Sequence, residues 1–206
     1  MRRIRDWCID PVGDPHGWRD ALLDARLPSR YWSASVDAIG YEEITRWLTE
    51  TLASAKTWMS RGVGHYIHGH LNSGKSSIAA ILMMDAIRRC ETCLWLPVRD
   101  VPGVRFRETQ ALSEIADRME SCDMLVLDDL GAEQFRLLSA AGNALETAAR
   151  IMYDRRRPLI ITSNIQWSKF PSRYAEMPGF VSVVQRIVVD TGIMNSQWPR
   201  RPGGGL

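Results

Sequence analysis

Long apolar runs are missing from this sequence, cysteine is scarce and net charge is close to zero; each shortage removes a class of protein. No stretch approaches the ~20 apolar residues that a membrane-crossing helix needs, and no signal-peptide core follows Met1. Four cysteines in 206 residues do not make the disulfide framework of a small secreted domain. A reduced, cytoplasmic setting is therefore expected. Cys90 and Cys93 form a lone C-x-x-C with no second ligand pair nearby. His65, His68 and His70 lie close together, but His68 and His70 flank a glycine-rich loop that accounts for them, so no zinc site is expected. A formal net charge of +2 makes no demand for a nucleic-acid partner. Arginines do cluster at Arg2, Arg3 and Arg5, at Arg155 to Arg157, and at Arg200 and Arg201, in runs of a kind that is usually solvated. Internal repeats are absent.

What is present is enough apolar content, 45% of residues, to bury the core of one domain. The most informative stretch is Gly69-His70-Leu71-Asn72-Ser73-Gly74-Lys75-Ser76, followed by Ser77, which fits G-x-x-x-x-G-K-[ST] at every fixed position. A chance match is expected in roughly one chain in a hundred of this length. The spacing has a chemical reason. Two glycines let the backbone wrap tightly and aim several N–H groups at phosphate oxygens, at the N-terminus of a helix. Lys75 is then placed for the β- and γ-phosphates of ATP, and the Ser76 hydroxyl for Mg2+. Context agrees: Gly64 to His68 reads as a strand leading in and Ser76 to Arg89 as a helix leading out.

Residues 1–35 are rich in Pro, Gly, Arg and Trp and keep no sustained period. They read as an irregular arm with one short helix near Trp18 to Leu23. Ile44, Trp47, Leu48, Leu52, Ala55, Trp58 and Met59 recur at three- and four-residue steps and predict one strong helix, with both tryptophans packing rather than forming a stacking platform. Beyond the phosphate loop, Cys93 to Val98 reads as a strand and Glu108 to Glu120 as a helix with Leu112, Ile115, Ala116 and Met119 on one face. Met124 to Leu127 and Leu159 to Thr162 read as buried strands, with a helix from Ala140 to Tyr153 between them. Phe180 to Val189 fits helix or strand, since β-branched residues dominate it. Strands alternating with helices imply an α/β fold with a mostly parallel sheet covered on both faces.

The second chemical signal is Met124-Leu125-Val126-Leu127-Asp128-Asp129, an apolar strand ending in paired carboxylates. A strand holds such acids rigidly beside a phosphate loop. Asp128 is placed to hold the metal with Ser76, and Asp129 to orient and polarise an attacking water. Aspartates also end strands simply as turns, but here one strand and one helix separate the pair from Lys75. A third signal, Thr162-Ser163-Asn164, ends the strand Leu159-Ile160-Ile161. Ligands of open parallel sheets bind at strand carboxyl ends, so Asn164 can reach the γ-phosphate and the water; a plain strand-end turn explains the same residues.

Taken together, these residues resemble the AAA+ superfamily, and within it the DnaC/IstB-like group of helicase loaders and transposition helper ATPases. The resemblance runs from about Ala25 to Asp190. Ala25-Arg26-Leu27-Pro28-Ser29-Arg30-Tyr31 with Ala34-Ser35-Val36-Asp37 looks like the group's lead-in segment. Leu127-Asp128-Asp129-Leu130-Gly131-Ala132-Glu133 is similar to its Walker B signature, and Tyr153 through Pro158 to Asn164 to its sensor-1 strand. The resemblance implies a P-loop AAA+ core over residues 36–198: a mostly parallel five-stranded sheet sandwiched by helices, with no substantial C-terminal lid and a flexible tail at 199–206. It also implies ATP bound between neighbouring subunits of a ring or spiral, with an arginine finger given in trans. The matching position is Arg186 in Val184-Gln185-Arg186-Ile187; an ordinary surface arginine is the alternative there. One departure is Met152, where the group has an arginine before the tyrosine at 153, with Arg150 the nearest substitute. The arm at 1–35 is short and lacks a clear zinc module, so the helicase-binding part of a typical loader is abbreviated or different here.

Members of the group hold DNA near the assembly axis, and Arg99, Arg105, Phe106 and Arg107 are the local candidates, since arginines grip phosphates and an aromatic stacks on a base. A solvated linker with one buried Phe explains them equally. The leading expectation is a replication accessory ATPase that loads a replicative helicase on single-stranded DNA, with the residue 1–35 arm contacting that partner. A transposition helper ATPase is the second reading. A small-molecule kinase is the third, though no arginine-rich lid segment is evident and the acid pair suits water better than an acceptor hydroxyl. A non-hydrolysing regulatory module fits less well with Lys75, Ser76, Asp128 and Asp129 all present.

Overall fold

In a computed structural model, which describes residues 11–101, 110–131 and 138–191, the apolar runs become strands buried on both faces. They are β1 (Gly64–His68), β2 (Cys93–Pro97), β3 (Met124–Leu130) and β4 (Leu159–Ser163), joined by a short edge strand, β5 (Val188–Asp190), with Val189 and Asp190 exposed. The five form one sheet in the order β2-β3-β4-β1-β5, and every neighbouring pair is parallel. Strand alternation assigns the two cores. Leu125 and Leu127 point into one, Met124 and Val126 into the other. Because both faces are covered, β2 and the starts of β3 and β4 read as unbroken apolar runs.

The first face is covered by α1 (Pro15–Asp24), α2 (Glu42–Ala53), α3 (Ala55–Ser60) and α4 (Lys75–Arg88). The helix α4 is apolar almost all round, with Ile78 through Met84 buried, because it lies flat against the sheet. The second face is covered by α5 (Gln110–Ser121), α6 (Leu138–Asp154), α7 (Phe170–Arg173) and α8 (Pro178–Ile187). Among the described residues no lid domain follows β5, and no helix is long and apolar enough to cross a membrane.

Three readings need refinement. The periodic stretch around Trp47 and Trp58 is two helices, not one. Ser54 stands between them and donates its hydroxyl to Glu50 O and Thr51 O, drawing the backbone out of the helical ladder. Both tryptophans do pack, edge-on against the His65 ring. The stretch Phe180 to Val189, open between helix and strand, is divided between α8 and β5. Within 1–35, Leu22, Ala25 and Leu27 are buried in the core under α4, and Trp95 N–H donates to Ala25 O at 2.8 Å.

Candidate nucleotide site

The phosphate loop leaves the carboxyl end of β1 and feeds α4, so the motif sits on the strand–turn–helix its chemistry requires. Two loop residues are left-handed: Asn72 at φ 61° and Gly74, the N-cap of α4, at φ 85°. Such a turn aims successive N–H groups into one concavity. Gly69 N–H donates to Ser163 O at 3.1 Å, which ties the loop to the end of β4. Lys75 is the first residue of α4, and its Nζ donates to His70 O at 2.6 Å. Burial holds the Lys75 ammonium below its ordinary pKa, while Asp129 and Asp128 oppose that shift.

Strand order explains how the acids reach this loop. β4 lies between β1 and β3, so the carboxyl end of β4 separates Lys75 from the acid pair and supplies the contacts between them. Leu127 pairs with Ile161 and Leu130 with Ser163, so β3 spends one more residue than β4 over the same length. That bulge falls on Asp128 and Asp129, and Asp129 takes a left-handed φ of 67°. Bulges re-aim side chains and are frequent beside active sites. Here the bulge leaves Asp128 buried and Asp129 exposed to the cleft.

Asp128 Oδ1 accepts from Ser76 Oγ at 2.8 Å and from Thr162 Oγ1 at 2.7 Å. The Thr162 hydroxyl in turn accepts from Asp129 N–H at 2.9 Å. One hydroxyl therefore fixes both the Asp128 carboxylate and the Asp129 backbone. Ser163 locks the same corner: its hydroxyl donates to Leu130 O at 2.7 Å and accepts from Ile165 N–H at 3.0 Å. The role of Thr162 was missed in the sequence, where its trio stood out only for Asn164.

A cavity of about 390 Å3 runs along the loop from Leu71 to Ile78 and takes in Asp128, Asp129 and Asn164. Arg30, Tyr31, Ile39 and Tyr41 also line it, with the Arg30 guanidinium 4.8 Å from the Tyr31 ring centre. An aromatic and aliphatic lining in the same cavity as a phosphate cradle suits a flat base. These four residues were not identified as site residues from sequence; Arg30 and Tyr31 stood out only as part of the lead-in segment. The buried Ser73 hydroxyl has no hydrogen-bond partner among the described residues, and Ser73 is one of the residues that line this cavity. An anionic oxygen supplied by a ligand would complete it. Ser76 and Asp128 converge as hard oxygen donors, a set that fits Mg2+ shared with phosphates.

The remaining candidates lie elsewhere. Arg186 is exposed in the last turn of α8, just before β5. Val188 pairs with Gly64, the first residue of β1, whereas the phosphate loop follows the last. Arg186 thus stands at the opposite end of the sheet from its own loop. Arg99 is exposed beyond β2 and pairs with Asp100 at 3.7 Å. Arg105, Phe106 and Arg107 lie outside the described residues.

A parallel sheet with a phosphate loop on β1, an acid pair on β3 and a polar strand end between them defines a P-loop α/β domain. Its strand order and helical layers are those of the AAA+ fold, which this chain shares with solved replication proteins. The structure of the DnaC helicase loader matches 79% of this chain and 98% of its own, at TM-score 0.63 and 18% identity. The structure of DnaI matches 85% and 94%, at TM-score 0.64 and 19% identity. A structure of the replication initiator DnaA bound to AMPPCP and single-stranded DNA matches 80% of this chain and 50% of its own, at TM-score 0.57 and 18% identity. No protein-family model matches the chain, and no curated protein matches it in sequence.

Proposed function

We propose that this chain is an ATP-dependent replication accessory protein, a helicase loader acting on single-stranded DNA. The observation that carries the ATPase part is the contact of Ser76 Oγ with Asp128 Oδ1, with Thr162 joining Asp128 to Asp129. Loop amides and Lys75 bind the phosphates, and Arg30, Tyr31, Ile39 and Tyr41 receive the base. Ser76 and Asp128 would hold Mg2+, which when bound would supply charge neutralisation at the phosphates. Asp129 accepts a proton from the attacking water, which Asn164 orients. Arg186, turned away from its own loop, supplies its cation to a neighbouring subunit in a ring or spiral.

The loader part is supported by the fold shared with DnaC, DnaI and DnaA. Val12 and Leu23, on the segment ahead of the ATPase core, are large exposed hydrophobics and offer apolar contact to a helicase. Arg99 is accessible to DNA phosphate from the β2 side. The chain would work in the cytoplasm, where the helicase and its DNA are. The test is ATPase activity with and without single-stranded DNA, together with capture of a hexameric helicase by tagged protein in ATP. Stimulated turnover and helicase capture are expected. An empty pull-down with ATP and DNA present sinks the loader reading; capture of a transposase favours the helper reading, and γ-phosphate transfer to a metabolite a kinase.

A further inference from the structure

A second cavity of about 490 Å3 flanks the phosphate loop on its other side. Gly69, His70 and Asn164 form its floor, and Lys169 and Arg173 its rim. Asn164 borders both cavities, so they meet at the loop's leading edge. Lys75 Nζ, the group that reaches the β- and γ-phosphates, rests on His70 O. On the nucleotide-site reading, a terminal phosphate that meets Lys75 would lie near the His70 end of the loop, where the second cavity opens. No carboxylate lines that cavity, in contrast to the first. A wall of two cations without acids favours an anion.

The segment that carries these cations is held rigidly. Lys169 and Arg173 are four residues apart and flank Phe170, which is fully buried. Phe170 stacks on Trp167 at 5.4 Å and packs on Tyr66, Tyr174 and Phe180. Tyr66, from the centre of β1, also donates its hydroxyl to Ile165 O at 2.9 Å. The turn is thus fastened to the strand that launches the phosphate loop, which fixes the backbone that carries both cations.

We propose that Lys169 and Arg173 bind the terminal phosphate of ATP in cis, so that the site separates ATP from ADP without a lid domain. This rests on the nucleotide-site reading above. Binding of AMPPCP and of ADP, each with Mg2+, would be measured by calorimetry for wild type, Lys169→Ala, Arg173→Gln and Lys169→Arg. Loss of a charged phosphate contact predicts AMPPCP affinity lower by roughly tenfold or more in the first two variants. ADP affinity should stay within about twofold, which also reports that the site is intact, and Lys169→Arg should keep AMPPCP binding. Equal weakening toward both nucleotides, or none toward AMPPCP, overturns the inference while leaving the nucleotide site standing. Wild-type protein that binds neither nucleotide overturns both.

Discussion

Thr162 carries more of the site than a strand-end threonine ordinarily would. Its single hydroxyl donates to Asp128 and accepts from the Asp129 backbone. Thr162→Val keeps the shape and removes both bonds, leaving a buried acceptor short of a donor and an N–H unpaired. Such a loss costs about 1–3 kcal/mol, readable as a lower urea midpoint, and should weaken Mg2+-dependent ATP binding as well. Thr162→Ser should restore most of both. The roles proposed for Lys75 and Asp129 divide binding from chemistry. Lys75→Ala removes the cation that meets the phosphates, so nucleotide binding should be abolished. Asp129→Asn keeps the bulge and the volume but not the base, so ATP affinity should persist while turnover falls on the order of 100-fold or more. Normal hydrolysis by Asp129→Asn would refute its role as the water-activating acid.

At the scale of elements, β1 holds a group that couples fold to pH. His65 is buried against Trp47 and Trp58, with ring centres 5.6 and 5.0 Å away, and neither ring nitrogen has a partner among the described residues. Desolvation pushes its pKa down from 6.5 to about 4. The folded state thus favours the neutral ring, and its advantage is complete above 6.5 and lost as pH falls from there toward 4. By pH 5 the penalty is on the order of 2 kcal/mol. Urea titrations at pH 7.5 and pH 5 should show that loss, and His65→Phe should abolish the His65 share of it; an unchanged pH dependence in that variant would contradict the assignment. The same strand shows what a sequence makes legible. β2 and β4 were readable because burial on both faces writes a continuous apolar run, and β1 and the phosphate loop because the loop's local chemistry marks the strand that leads into it. The end of β3 was not, since Asp128 and Asp129 interrupt the run and the bulge that carries them depends on register with β4. The break at Ser54 lies inside an unbroken apolar period, and only the hydroxyl bonds reveal it. Arg30, Tyr31, Ile39 and Tyr41 reach the cleft through packing around α4, a tertiary event that no local pattern encodes.

The whole molecule poses one question that its sheet geometry sharpens: whether a single chain completes its own site. The five residues of β1 put roughly 13 Å between the phosphate loop and the end of the sheet beside Arg186. A side chain does not span that distance through a packed core, so Arg186 is expected to serve a second copy in a head-to-tail contact. The near-neutral net charge of +2 opposes such stacking very little. Arg186→Ala should therefore bind ATP like wild type and hydrolyse it poorly, as Asp129→Asn does for a different reason. Mixing the two inactive proteins distinguishes the geometries. A trans arrangement creates sites with an intact Asp129 from one subunit and an intact Arg186 from its neighbour. With random assembly at equal amounts, these are about a quarter of all sites, so roughly a quarter of wild-type turnover should return. An Arg186 that acted within its own subunit would leave every site in the mixture missing one group, and activity would stay at the level of the separate variants.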